Sequence, residues 1–338
     1  MKTSKSSLLI VIIIGIAIIV SVVIIIRTAT NVDKKTTIGN VFTYDIKELS
    51  KTDPNLIKYK EISKIKTGFQ NPSAIATDSN DSIYVAGDKS IKVYDAQGNV
   101  ASEIKLADSP RCLKVVDGKI YIGMKDHLEV YNTQGSRIAK WESLGQNAII
   151  TSVDVYGENV FIANAGDRAV LRYDISGKRK DDIGKRDSAK NITGFIIPSP
   201  YFDLAVARDG LLRIVNPGLH KIEAYTFDGD MESSWGETSA SIKGFIGCCN
   251  PVNFAILPNG KFVTCEKGIP RVKIYSATGV FESVVAGAEA FANTVGICNP
   301  DAVAECTTKA LDVAVDSKGR ILVLDTVEKT VRVFVLRG

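Results

Sequence analysis

Six times along the chain the same order of apolar and polar positions returns. Each unit has an apolar strand, a polar turn, a second apolar strand, another turn, and a third strand that ends on an aromatic. The pattern is clearest in 244–275, where it predicts strands at 254–257, 261–265 and 272–275, with Pro258-Asn259-Gly260 between the first two. The second strands of the six units read IYVA from Ile83, IYIG from Ile120, VFIAN from Val160, LRIVN from Leu212, FVTCE from Phe262 and ILVLD from Ile321. The third strands read IKVYD, LEVYN, VLRYD, IEAYT, VKIYS and VRVFV. After five of these comes a turn carrying Gly98, Gly135, Gly177, Gly229 or Gly279.

Units of about 37 to 60 residues built from three or four short strands cannot cover both faces of their own sheet, so they must stack on one another; closing the stack into a ring also hides the sheet edges. The expected fold is therefore all-β, a six-bladed β-propeller. The last unit runs out after its third strand, and the strand-like KYKEISKIK at 58–66, upstream of the first unit, is the spare strand that completes it. The run PSAIATDSNDSIYVAGDKSIKVYDAQGNV resembles the NHL repeats of six-bladed propellers. So does the stretch from Gly177 through Ile183-Gly184, Gly194-Phe195 and Pro200 to Asp209-Gly210. The resemblance covers 58–338 and implies fold more than function: its relatives include metal-dependent lyases and lactonases, sugar dehydrogenases with a quinone cofactor, and binding scaffolds. Two excursions, 178–198 and 286–309, depart from the repeat.

Upstream of the repeats the pattern changes. Leu8 to Ile26 is apolar but for Gly15 and Ser21, long enough to cross most of a hydrocarbon core as helix at about 1.5 Å per residue. It reads as a transmembrane signal-anchor after a cytoplasmic head, 1–7, and before a polar tether, 27–57, with the propeller, 58–338, extracytoplasmic. The net charge of +4 is mild and the basic residues are scattered, which argues against a nucleic-acid partner. The partners expected are the membrane and a protein of the envelope.

The resemblance places ligand sites around the mouth of the central channel, at the loops leading into the innermost strands. The residue just before the first apolar position of each inner strand is Ala74, Cys112, Ser152, Asp203, Asn253 or Asp312, a ring that is polar on the side of the later blades. Asp203, Asp312, Glu266 and Asp325 are the acids that a lactonase-like site would gather around a divalent cation. Lyase-like propellers build their metal site from several histidines. This chain has only His127 and His220, both at polar turn positions. The six cysteines, Cys112, Cys248, Cys249, Cys265, Cys298 and Cys306, all fall toward the channel-mouth side of the repeats. Three readings stay open for them: disulfides, with Cys298 joined to Cys306 and Cys265 to Cys248 or Cys249; a thiolate metal or iron–sulfur site; and a redox pair at Cys248-Cys249. Adjacent Cα atoms lie about 3.8 Å apart, below the usual disulfide range, so such a bond is strained and easily reduced. Trp141 and Trp235 follow third strands and are expected in the core. The leading expectation is a binding or scaffold module; the alternative is a redox or metal-dependent enzyme using the cysteine-rich mouth of blades five and six.

Overall fold

The structure, a computed structural model, describes residues 19–22, 46–186, 193–294 and 310–338. The chain divides into two units, Met1–Asp45 and Ile46–Gly338. Of the first, residues 19–22 are described and are helical. Among the described residues no helix is long and apolar enough to cross a membrane. The rest of the expected span, 8–18 and 23–26, lies outside the described residues, as do 27–45 of the tether.

The second unit is six four-stranded antiparallel sheets. Strand β1 (Tyr59–Lys66) is set aside for the last. Blade one is β2–β5 (Pro72–Thr77, Ile83–Gly87, Ser90–Tyr94, Val100–Lys105), and blade two is β6–β9 (Cys112–Val116, Lys119–Gly123, Leu128–Asn132, Arg137–Lys140). Blade three is β10–β13 (Ile150–Tyr156, Asn159–Asn164, Ala169–Asp174, Arg179–Ile183), and blade four is β14–β17 (Leu204–Val206, Leu212–Asn216, Lys221–Tyr225, Met231–Trp235). Blade five is β18–β21 (Asn253–Ile256, Phe262–Cys265, Val272–Tyr275, Phe281–Ala286). Blade six takes β22–β24 (Leu311–Val315, Ile321–Asp325, Thr330–Leu336) and closes with β1, which pairs antiparallel with β24 from Tyr59↔Leu336 to Lys66↔Thr330. The spare strand thus ties the first part of the ring to its last.

Stacking explains the run-on hydrophobicity of the second strands. Both faces of a blade are covered by neighbours, so β3 and β23 are buried at every position, while the outermost strands β1 and β17 are exposed at most of theirs. The core is correspondingly a ring of six clusters, each shared by two adjacent blades. One, for example, joins Ala74, Tyr84 and Ile91 of blade one to Leu113, Ile120 and Tyr131 of blade two. Trp141 and Trp235 belong to this packing, with ring centroids 5.1 Å from Tyr173 and 4.9 Å from Tyr275. The turn glycines have a local cause: Asp95 Oδ1 accepts from the amides of Gln97 and Asn99, and Gly98 takes φ +90°, a conformation that costs a side chain dearly.

One expectation changes here. Residues 46–57 belong to the same compact unit as the propeller: Ile57 bridges to Val284, and Thr52 N donates to Glu289 Oε1 at 2.7 Å. The first excursion, 178–198, begins with the outer strand β13, where Arg179 is held to Asp182 at 2.8 Å.

Candidate functional site: the central channel and its mouth

The inner strands β2, β6, β10, β14, β18 and β22 surround a cavity of about 590 Å³, which is lined along the length of β2, β14, β18 and β22 and by the first part of β6 and β10. That volume lies in the range of small-molecule sites. The whole ring, Ala74, Cys112, Ser152, Asp203, Asn253 and Asp312, is on its wall. A second cavity of about 670 Å³, bordered by Arg208, Arg213 and Asp316, shares Thr77, Val206, Ile256 and Val315 with it at the far end.

The polar members of the ring are occupied. Asp203 accepts from its own strand at Leu204 N (2.9 Å) and reaches into blade five at Phe254 N (2.8 Å). Asn253 Nδ2 donates into blade six at Leu311 O (2.8 Å). Asp312 accepts from Val313 N (2.8 Å) and closes the ring onto blade one at Ile75 N (2.9 Å). Ser152 makes the same step from blade three to blade four, with Oγ 3.4 Å from Leu204 N. Each of these side chains therefore satisfies a backbone group of the next blade. Beside them Asp154 accepts from Val206 N at 2.7 Å and pairs with Lys114 of blade two at 2.7 Å. Burial pushes the Asp203 carboxyl up to about 6, helped by the charge of Asp154, and the Asp312 carboxyl up to about 7, helped by the charge of Asp203.

Glu266 and Asp325 are not on the channel wall, and the four acids do not converge. Glu266 is fully buried between Arg271 Nη2 (2.7 Å) and Lys273 Nζ (2.8 Å), two cations that claim both its oxygens. Lys273 in turn donates to Gly244 O at 2.6 Å and lies 4.5 Å over the Phe245 ring; burial lowers its ammonium to about 8 despite Glu266. Asp325 Oδ1 accepts from Val327 N and Glu328 N within its own turn, and burial raises its carboxyl. The histidines are committed too. His220 Nε2 lies 2.6 Å from Gly247 O and Nδ1 2.7 Å from Thr238 Oγ1, while His127 faces Asp126 at 2.8 Å and Glu129 at 3.4 Å. Among the described residues no group of three or more His, Cys, Asp and Glu is placed to hold a metal ion.

The cysteines separate. Cys112 lines the channel and Cys265 is buried in blade five, and burial pushes both thiols up. Cys265 is free, which corrects the expected bond to Cys248 or Cys249. Those two are free as well, with their sulfurs 3.2 Å apart in a thiol hydrogen bond. Cys298 and Cys306 lie outside the described residues. Around Cys248-Cys249 the fold gathers groups that the repeat pattern did not flag. Lys267, buried, sits 4.6 Å over the Tyr201 ring and donates to Ser199 Oγ at 3.1 Å; Tyr201 itself lines the channel, and burial raises its phenol, with the neighbouring Cys249 adding to the shift. Only the position of Tyr201, two residues before the ring position Asp203, carried a signal of this in the sequence.

Comparisons with protein-family profiles and with curated proteins return no match. Solved structures do match. Virginiamycin B lyase from Staphylococcus aureus is 11% identical with TM-score 0.53 over 82% of this chain and 100% of that one. A streptogramin B lyase is 10% identical with TM-score 0.51 over 82% and 98%. A protein of unknown function from Bacteroides thetaiotaomicron is 14% identical with TM-score 0.55 over 82% and 72%. At these identities the likeness is one of fold: the chain carries a six-bladed β-propeller built like theirs, and its function has to be argued from its own channel.

Proposed function

We propose that this chain is a binding or scaffold propeller with NHL-type repeats. We further propose that 8–26 holds it at a membrane with the propeller outside the cytoplasm, and that its partner is a protein of the envelope. One observation carries the non-catalytic reading. The polar ring side chains that a hydrolase or lyase would turn toward a substrate are spent on backbone groups of the neighbouring blade, and both histidines are held at both ring nitrogens. The lyase neighbours support the fold alone. The second reading, a redox component, is favoured at one place, the free pair Cys248-Cys249.

The test places a photo-crosslinking amino acid at Tyr201, on the channel wall, and at Val100, on the exposed outer strand of blade one, in the full-length chain in its own membranes. A discrete protein adduct from position 201 and none from position 100 is the expected result. Turnover of a lactone by the purified chain, lost in Asp203→Asn, would overturn the reading. Protease added to intact cells should remove the propeller; protection of the propeller would overturn the topology.

A further inference from the structure

We propose that Cys248 and Cys249 are a dithiol site that exchanges with low-molecular-weight disulfides of the glutathione class, whatever the channel binds. The two sulfurs divide the work by position. Cys248 is exposed, Cys249 is 1% exposed directly beside it, and their sulfurs are 3.2 Å apart. An incoming disulfide therefore meets Cys248 first. The Cys248 thiolate attacks one sulfur, the disulfide bond breaks, and one thiol leaves with a proton from solvent, which gives a mixed disulfide on Cys248. Cys249, deprotonated to solvent, then attacks Cys248 Sγ, expels the second thiol and closes the Cys248–Cys249 bond. The dithiol has lost two electrons and two protons and the disulfide has gained them. Adjacent cysteines close a ring whose Cα atoms stand about 3.8 Å apart, shorter than ordinary disulfides span, so the bond is readily reopened by thiols.

Access, more than acidity, sets these two sulfurs apart. Burial, and then the hydrogen bond shared with Cys249, raise the Cys248 thiol, and the Lys267 ammonium offsets only part of that by favouring the thiolate. The other described thiols, Cys112 and Cys265, are buried and pushed far up by burial, so they are built to stay protonated and serve as internal controls.

The full-length chain is incubated with oxidised glutathione, quenched by alkylation and read by peptide mass spectrometry. In the wild type the Cys248-Cys249 peptide should lose two hydrogens, escape alkylation, and recover both thiols on addition of reduced glutathione. Cys249→Ser should stop at glutathione on Cys248, and Cys248→Ser should react about tenfold more slowly, since its remaining thiol is buried. A wild-type pair that stays alkylatable throughout, or a Cys248 that joins Cys265, Cys298 or Cys306 instead of Cys249, would overturn the assignment. The wild-type measurement decides even if the Cys249→Ser chain does not fold.

Discussion

The wall of the channel has two unlike halves. In blades three to six the ring position is Ser152, Asp203, Asn253 or Asp312, and each reaches the inner strand of the following blade by a hydrogen bond. In blades one and two the same position is Ala74 or Cys112, buried in the apolar clusters between blades. There the polar link falls to other side chains, Ser73 Oγ to Pro110 O at 2.8 Å and Lys114 to Asp154 at 2.7 Å. The difference teaches that polarity along this channel is first a means of joining blades whose inner strands share no ladder. A channel acid here is a structural acceptor before it is a ligand, because a buried amide left without a partner costs about 1–3 kcal/mol.

The largest break in this comparison should come behind the polar half, at the buried ion group of blade five. Glu266→Ala leaves Arg271 and Lys273 buried without their counter-charge and should cost about 3–5 kcal/mol, read as a lower midpoint in denaturant unfolding. At the ring itself, Asp312→Ala strands the amides of Ile75 and Val313 and should cost about 1–3 kcal/mol. Cys112→Ala in the apolar half loses only a small buried group and should cost about 1 kcal/mol. Equal losses at 312 and 112 would remove the distinction between the halves.

Titration gives a smaller effect with a definite sign. The folded-state values of Asp203 and Asp312, about 6 and about 7, lie above the ordinary carboxylate value of 3.8, so between pH 4 and 7 the folded chain holds protons that the unfolded chain has released. Their contribution to stability is therefore fully present below about pH 4 and is lost as pH rises through 6 and 7. Thermal unfolding followed from pH 5 to 8 should show the melting temperature falling by a few degrees, and Asp312→Ala should flatten that fall. Both carboxyls keep an edge on the channel, which holds the effect down. Smallest of all, Ala74→Ser copies Ser152 into the apolar half and should change stability by less than about 1 kcal/mol. A gain there would show that the ring rule extends to blade one.

Much of the fold was legible because its causes are local. Strand alternation, the aromatic that ends each third strand, and glycines such as Gly98 recur at fixed offsets, and repetition multiplies a weak signal six times. The ring column followed from the same register, and all six of its members do line one cavity. Glu266 shows where this stops: it follows the second strand of its blade, as Asp325 ends that of its own, where an acid looks available to the channel. Its fate is set by Arg271 and Lys273, whose side chains lie on the turn and the third strand of the same sheet and fold over it. Nothing in the spacing says which neighbouring cation will turn inward.

The cysteines mark the same boundary. The repeat pattern leads one to expect six sulfurs toward one side, but a disulfide needs a specific distance, and only the packed chain decides that Cys265 stays buried and free while Cys248 and Cys249 touch each other. The sequence by itself determined the propeller, its six blades and its clasp, because periodic patterning and turn chemistry act over a few residues. The tertiary structure alone decided which polar groups were used up between blades and which thiols stayed unbonded. Those contacts join residues far apart in the chain, such as Ile75 with Asp312, and depend on the ring having closed.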